Sequence, residues 1–535
     1  MSASSIYADH VELIGAISSV WATELGVPTV GVDDDFFTLG GTSLGAARVV
    51  AALRDTWGIE TSFAVLLRNS SPVRFAAAVL AGGDAAPRML LPRLDDDAAP
   101  PVTIQQEAIW FLEQIQPDNT AYQNLVVLDL PEQVDRARLA ASLGALVDRH
   151  ALLRTSFPTQ RGRPILRRHA EPVVHLDVVD LTAMSDGARA DWIRAVARQP
   201  IPRTEPGLLR WTLADHNAGQ SLILVEHHFL HDGWSLGRLI TELAHVYRTG
   251  SIEGLPPLPH QYAEYAVWQR LWLETDAARS ARHFWVDLLS DQMPPLRLPR
   301  DAARPNEFTF VGETLHTRLP SAVVTAARGA AREFRTTTFA VLMAAFASVA
   351  GAVCGSPDFN LGSMLRNRRV PGTENILGMF VNTIALPVRG WAQRSLRDLA
   401  GDLTDMLTAG MEHQEIPFPL IAQSLPGERD SSRNPHFQVC FSMNDYPDLQ
   451  PEWVPGRCVS LRYPSNGGAK FDLDVVLIPE GDGYEVLWRY YAPVLTVHET
   501  ARIAELFHDV VQAAVARPDQ PLAVVVGAAG WAGAA

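Results

Sequence analysis

Residues 84–101, DAAPRMLLPRLDDDAAPP, constrain the fold of this chain more than any other stretch. They are rich in Pro, Ala and Asp and place apolar residues at no helical period. No amphipathic helix is expected to cross them, and they read as a linker. They cut the 535 residues into a small unit, residues 1–83, and a large block from 102 onward. Fully extended, such a linker spans roughly 60 Å. The small unit is therefore expected to move relative to the large one.

The small unit reads as helical. Val11, Ile14, Ile17, Val20, Trp21 and Leu25 recur at helical spacing. A loop follows, and a second helix is expected from Ser43, with Leu44, Ala47, Val50 and Leu53 on one face. Ser71 and Pro72 suit the N-cap and first position of a later helix that ends at AGG.

The large block mixes periods. Leu139, Leu143, Leu146 and Val147 mark an amphipathic helix, and ALLRTSF after it reads as a strand. SLILVE, residues 221–226, reads as a buried strand that delivers its last side chains to a loop. Helical stretches return near 236–248, 262–276 and 320–353, and MFVNTIALPV, residues 379–388, reads as another strand. The block exceeds one ordinary core, so two lobes are expected, 102–275 and 276–526. The last nine residues, 527–535, are set aside as a tail.

Charge and cysteine content narrow the function classes. A net charge of −15 opposes a polyanionic partner, so no nucleic acid is expected. Three cysteines without a CxxC pair fit a reducing compartment and argue against a thiolate metal site. The first residues lack a basic and apolar leader, and no apolar run reaches about 18 residues. A cytoplasmic chain without a membrane span is expected.

Two motifs carry chemistry. The first is DDDFFTLGGTSL. A serine after two glycines is ordinarily a helix cap after a turn. The whole stretch, however, resembles the carrier-protein attachment motif D-x-F-F-x-L-G-G-x-S-L at Asp35, Phe36, Phe37, Leu39, Gly40, Gly41, Ser43 and Leu44. The resemblance implies a small all-α four-helix carrier domain over 1–83, with 4′-phosphopantetheine on Ser43. A helix N-terminus tolerates the phosphate such a link requires.

The second motif is VEHHFLHDGWS, residues 225–235. His227 and His231 are four apart, as are His228 and Asp232, which would suit a metal on a helix. The apolar strand leading in and Gly233 leading out oppose a helix there, and H-E-x-x-H is absent, so no metal is expected. A structural reading is simpler: adjacent histidines on a strand face opposite sides, one toward a core and one toward a cavity. A catalytic reading needs one near-neutral histidine at a cleft floor.

His227, His228, Asp232 and Gly233 match H-H-x-x-x-D-G, which resembles the signature of condensation domains in nonribosomal peptide synthetases. Other motifs follow in the family's order. TIQQEAIWFL is similar to the first through Gln106, Trp110 and Leu112, and RHALLRTSF to the second through Arg149, His150, Leu153, Arg154, Thr155 and Phe157. YAEYAVW, LGMFVNT, HQEIPF and RDSSRNP resemble the fourth to the seventh. Two positions depart: Ala108 stands where the first motif has Arg, and Ala151 where the second has Glu.

The resemblance implies an α/β two-lobed chloramphenicol-acetyltransferase-like condensation domain behind the carrier. It implies amide formation: a donor peptidyl or aminoacyl thioester on Ser43 passes to the amine of an acceptor on a downstream carrier. His228 would take a proton from the amine, orient it, or hydrogen-bond the tetrahedral intermediate; these roles stay open. His227 would be structural. Asp232 would pair with Arg368 to hold the loop, and Gly233 would permit a sharp turn or close approach. Ala108 would widen the acceptor side of the tunnel. An upstream adenylation domain and a phosphopantetheinyl transferase are the further partners implied. An epimerisation domain shares the histidine motif, but YAVW, FVNT and SRNP look like condensation. A non-catalytic recruitment platform would have a degraded second histidine, which here is intact.

Overall fold

The computed structural model describes residues 3–41, 43–57, 59, 61, 63–81, 89–95, 98–117, 119–427, 430–444 and 451–530. Four helices form the first unit: α1 (Ala3–Leu25), α2 (Ser43–Trp57), α3 (Phe63–Arg68) and α4 (Pro72–Ala81). Their shared core is Ile17, Trp21, Phe36, Val49, Leu53, Leu66 and Phe75. Val11, placed on the apolar face by its spacing, is exposed. Pro72 opens α4 because its missing N–H costs nothing there.

The described part of the linker, residues 89–95 and 98–101, packs on the large block. Residues 84–88, 96 and 97 lie outside the described residues. The rest is laid against the large block. Leu91 is buried in that block's core, the Trp268 indole N–H donates to Met89 O at 2.7 Å, and Leu166 N–H donates to Pro100 O at 2.9 Å. The second half of the linker is thus pinned to the large block, which shortens the length available to the motion expected of the small unit. Buried apolar surface and long-range hydrogen bonds override a composition that reads as coil.

The large block contains two sheets. The first has the strand order Ser460–Arg462, Gln123–Leu130, Gly219–His227, Leu209–His216, His175–Asp180. Its first strand comes from far along the chain, with Val127 opposite Arg462. The second sheet runs Asn382–Val388, Phe359–Leu365, Val439–Met443, Leu473–Glu480, Gly483–Tyr491, Gly312–Leu319. Each has its own core. One is built on Leu125–Leu128, Trp211 and Leu222–Val225, the other around the helix Thr338–Cys354. That helix is apolar all round because it is enclosed by the second core. Among the described residues no single helix is long and apolar enough to cross a membrane.

Several local expectations change. ALLR forms a 3-10 turn, Ala151–Arg154, because Leu152 and Leu153 bury side by side, and only Thr155–Ser156 is extended. The stretch 262–276 ends at Trp272, and Thr275 caps a separate helix, Asp276–Leu288. The stretch 320–353 breaks at Arg335, whose φ of +56° ends Ser321–Phe334 before Thr338–Cys354 begins. The strand expected over 379–388 starts at Asn382, because the preceding backbone N–H groups of Phe380 and Val381 are spent on Asp232.

Candidate active site

The strand Gly219–His227 ends between the first two histidines of the motif. His227 is its last residue, and His228 lies in the turn that follows. The two histidines are therefore not neighbours on one strand. His227 faces inward. Its Nε2–H donates to Glu113 Oε1 at 2.7 Å, its Nδ1 accepts from Phe229 N–H at 3.2 Å, and Glu113 is also paired with Arg203. Both ring nitrogens are thereby consumed, and the ring is a buried bracket between strand and helix.

His228 is held differently. Its backbone N–H donates to Tyr122 O at 2.8 Å. Its Nδ1 lies 3.0 Å from His231 O. A carbonyl only accepts, so Nδ1 carries the proton and Nε2 keeps a lone pair. Nε2 makes no hydrogen bond among the described residues. Burial holds the imidazole well below the usual histidine range, and the cation of Lys470 pushes the same way. His228 is thus a neutral base with one available nitrogen.

His231 is also accounted for. Its Nε2 contacts Glu226 Oε2, and both side chains are buried. Glu226 Oε1 accepts from Asn124 Nδ2 at 3.2 Å across the paired strands.

Asp232 is a helix cap as well as an ion-pair partner. It stands at the N-cap of Gly233–Thr249 and accepts from Ser235 N–H at 2.9 Å. Its second oxygen accepts from the backbone N–H groups of Phe380 and Val381 at 3.1 and 3.2 Å. Arg368 Nη2 donates to it at 3.1 Å. Arg368 also donates to the carbonyls of Thr373 and Ile376 and stacks its guanidinium 4.0 Å from the Phe380 ring centroid. One carboxylate thereby joins the histidine turn to a segment of chain almost 150 residues on. Gly233 is the first helical residue, not the tip of a sharp turn. The cap, spelled D-x-x-S in the sequence, explains why a glycine is tolerated at that point.

The other motifs converge on the same turn. Gln106 Nε2 donates to Phe229 O at 2.8 Å, and the Tyr262 hydroxyl donates to Met379 O at 2.7 Å. Gly378 lies so close to Tyr262 that a Cβ would sit 1.9 Å from the ring. Arg149 and His150 both bind Glu242 of the capped helix. Ala108 shares the helix Ile104–Ile115 with Gln106 and is half-buried.

Tyr122 and Lys470 escape the motif reading. The Tyr122 ring stacks on His228, with centroids 6.3 Å apart and planes at 19°. Lys470 Nζ sits 5.2 Å from the Tyr122 centroid. Composition carries one signal for it: Lys470 is the only lysine in a chain with 45 basic Lys and Arg residues.

In the first unit, Ser43 is the first residue of the 15-residue helix α2. Gly41 packs so tightly that a Cβ would lie 2.2 Å from the Phe36 ring. The Phe36 of the same motif is therefore the reason for the second glycine. A serine opening a helix suits a phosphodiester, since the N-terminal end of a helix favours negative charge.

Comparison with known proteins agrees with this geometry. Residues 97–526 match the condensation domain family, and residues 15–79 match the phosphopantetheine attachment site family. Tyrocidine synthase 3 of Brevibacillus parabrevis is 30% identical over 528 residues, covering 98% of this chain and 8% of that protein. Gramicidin S synthase 2 of Brevibacillus brevis is 27% identical over 517 residues, covering 96% of this chain and 11% of that protein. The chain thus spans about a tenth of the length of such relatives. Among solved structures, the first condensation domain of the calcium-dependent antibiotic synthetase aligns with a TM-score of 0.70 at 18% identity, over 80% of this chain and 99% of that one. The X-domain from teicoplanin biosynthesis aligns at 0.71 and 21%, over 81% and 99%. At such identities the two structures show the fold alone. The chain belongs to the condensation domain family and carries a phosphopantetheine attachment unit ahead of it, the carrier–condensation arrangement of nonribosomal peptide synthetases.

Proposed function

We propose that this chain forms peptide bonds, with His228 as the base that serves an acceptor amine attacking a donor thioester presented from Ser43. The observation that carries the reading is the state of one ring. His228 Nδ1–H is committed to His231 O, and Nε2 is left for substrate. A neutral imidazole with an open Nε2 is what deprotonation of an amine requires.

When attached to Ser43, 4′-phosphopantetheine supplies a flexible thiol that carries the donor acyl group as a thioester. His228 Nε2 accepts the proton that the acceptor nitrogen sheds as the C–N bond forms. The proton held on His228 Nε2 would then be available to a leaving thiolate, which is the group that 4′-phosphopantetheine on Ser43 would supply. His227 and Asp232 act by holding the turn, through Glu113 and Arg368 respectively. Ala108 leaves the acceptor side roomier than an arginine would, so Ala108→Arg is expected to weaken use of the acceptor carrier. A downstream carrier would present the acceptor, while a phosphopantetheinyl transferase and an upstream adenylation domain would arm and load the donor carrier beforehand.

The test loads Ser43 with a defined peptidyl-pantetheine and offers a panel of aminoacyl carriers. Product mass is read for the wild-type chain and for His228→Ala. An amide product whose formation slows by about 10²–10⁴-fold without His228 supports the reading. Epimerised donor without amide identifies an epimerisation domain, and neither product identifies a recruitment platform; both overturn it.

A further inference from the structure

Lysine is nearly absent from this protein. Every other member of its 45 Lys and Arg residues is arginine. The single exception, Lys470, lies on the segment that joins the two lobes behind His228. Its backbone is fixed on both sides: Ala469 N–H donates to Phe310 O at 2.9 Å, and Asn434 Nδ2 donates to Lys470 O at 2.7 Å. Nearby, Asn466 Nδ2 donates to Gln123 O at 2.5 Å, and Gly468 packs against Ala121. The segment is thereby clamped onto residues 121–123, the stretch that also receives the His228 backbone N–H at Tyr122 O.

The Lys470 side chain reaches the Tyr122 ring, which is the ring stacked on His228. Its Nζ meets no hydrogen-bond acceptor among the described residues. Lys470 is half-buried, so its charge is only partly screened by solvent at the face of the ring that stacks on His228.

We propose that Lys470 is a positioning residue for the condensation reaction: its ammonium, seated on the Tyr122 ring that backs His228, keeps His228 in the unprotonated form that receives the amine's proton. The proposal rests on the reading of His228 as the base. Two cations in one poorly solvated site oppose each other, and the fixed ammonium makes protonation of the nearby imidazole the unfavourable event.

The surroundings agree. For His228, burial comes first in lowering its pKa, Lys470 is the largest charge acting in that direction, and His231 and His227 add to it. For Lys470, burial and Arg489 lower the pKa to about 8, against the opposite pull of Asp474 and Glu226. Lys470 is therefore charged across the range in which histidines titrate. It loses its charge only at higher pH, where His228 is neutral in any case. Its effect falls on the acid side alone.

The absence of other lysines makes the test direct. Protein labelled with ¹³C at lysine Cε gives one lysine resonance, which is expected to titrate near 8 in the holo chain. Protein labelled with ¹⁵N at histidine gives the His228 titration, identified by its loss in His228→Ala. In Lys470→Met the His228 titration moves up toward the ordinary value near 6.5. The acid limb of the kcat profile, measured at saturating carriers, moves with it, while kcat at pH 8 changes less. Lys470→Arg keeps the charge and leaves both near their wild-type positions. Melting curves of the two variants separate these effects from loss of fold. An unmoved His228 titration in folded Lys470→Met, or a lysine resonance that titrates at 10.5, overturns the proposal. A His228→Ala chain with full activity would instead overturn the reading of His228 as the base, and with it the proposal that Lys470 serves that base.

Discussion

Arg368 and Asp232, 136 residues apart, meet at 3.1 Å with side chains only 6% and 5% exposed. The pair joins the histidine turn to the segment 373–381, which the guanidinium grips through two carbonyls and the Phe380 face. Arg368→Met leaves a buried carboxylate without its cation. A loss of roughly 3–5 kcal/mol in stability is expected. Chemical denaturation of the variant checks this, and a loss under about 1 kcal/mol would mean that the backbone donors to Asp232 suffice without the cation.

Gly378 offers a steric test of the same junction. A methyl group there meets the Tyr262 ring, and that ring cannot withdraw because its hydroxyl is bound to Met379 O. Gly378→Ala is expected to cost about 1–3 kcal/mol by overpacking. In a Tyr262→Leu background the same alanine costs less, and a double-mutant cycle measures the difference.

Glu226 bears on His228 at one remove. It holds the His231 ring, and His231 O receives the His228 Nδ1 proton. Glu226→Gln keeps size and removes the charge that anchors the ring. A small shift of the turn carbonyl then lets His228 rotate. kcat is expected to fall about tenfold with carrier KM unchanged, less than the roughly 10²-fold that a 1 Å misplacement costs. An equal fall in affinity would show general damage to the binding surface.

The carrier helices, the α/β class and the motif order were legible because helical period and motif spacing are local properties. The same is true of Pro72 at a helix start and of SLILVE as a strand. What was not legible depends on contacts between distant segments. Leu152 and Leu153 form a buried turn rather than a strand because the core, not their β-propensity, decides. The strand near 382 begins late because Asp232, some 150 residues earlier, takes two of the backbone donors. Glu113 and Tyr122 belong to the site through folding alone. Lys470 is the intermediate case: composition marks it as singular, and only the fold puts it on the Tyr122 ring that stacks on His228.

The pinned half of the linker gives a prediction about motion. Leu91 is 6% exposed, and the Trp268 indole holds Met89 O. Leu91→Ala is expected to weaken the docking by about 2–5 kcal/mol. Released, the linker regains length and the carrier samples a wider range around the condensation unit. Distances between a label on α1 and one on Asp276–Leu288 report the change. A distribution as narrow as the wild type's would show that the polar contacts, Trp268 to Met89 O and Leu166 to Pro100 O, hold the strap without Leu91.

The burial of neutral His228 also has a signature in stability. Its pKa in the fold lies well below 6.5, and an unfolded histidine titrates near 6.5. Between those two values the unfolded chain binds a proton that the folded chain refuses, so stability falls as pH falls. Above 6.5 both states are neutral and the group contributes no slope. The loss is at most about 1.4 kcal/mol for each pH unit below roughly 6.5. His228→Gln removes this titration. Denaturation midpoints at pH 7.5 and pH 5.5 are therefore expected to differ less in the variant than in the wild type. A larger difference in the variant would place the proton on folded His228 and remove the basis for treating it as the base.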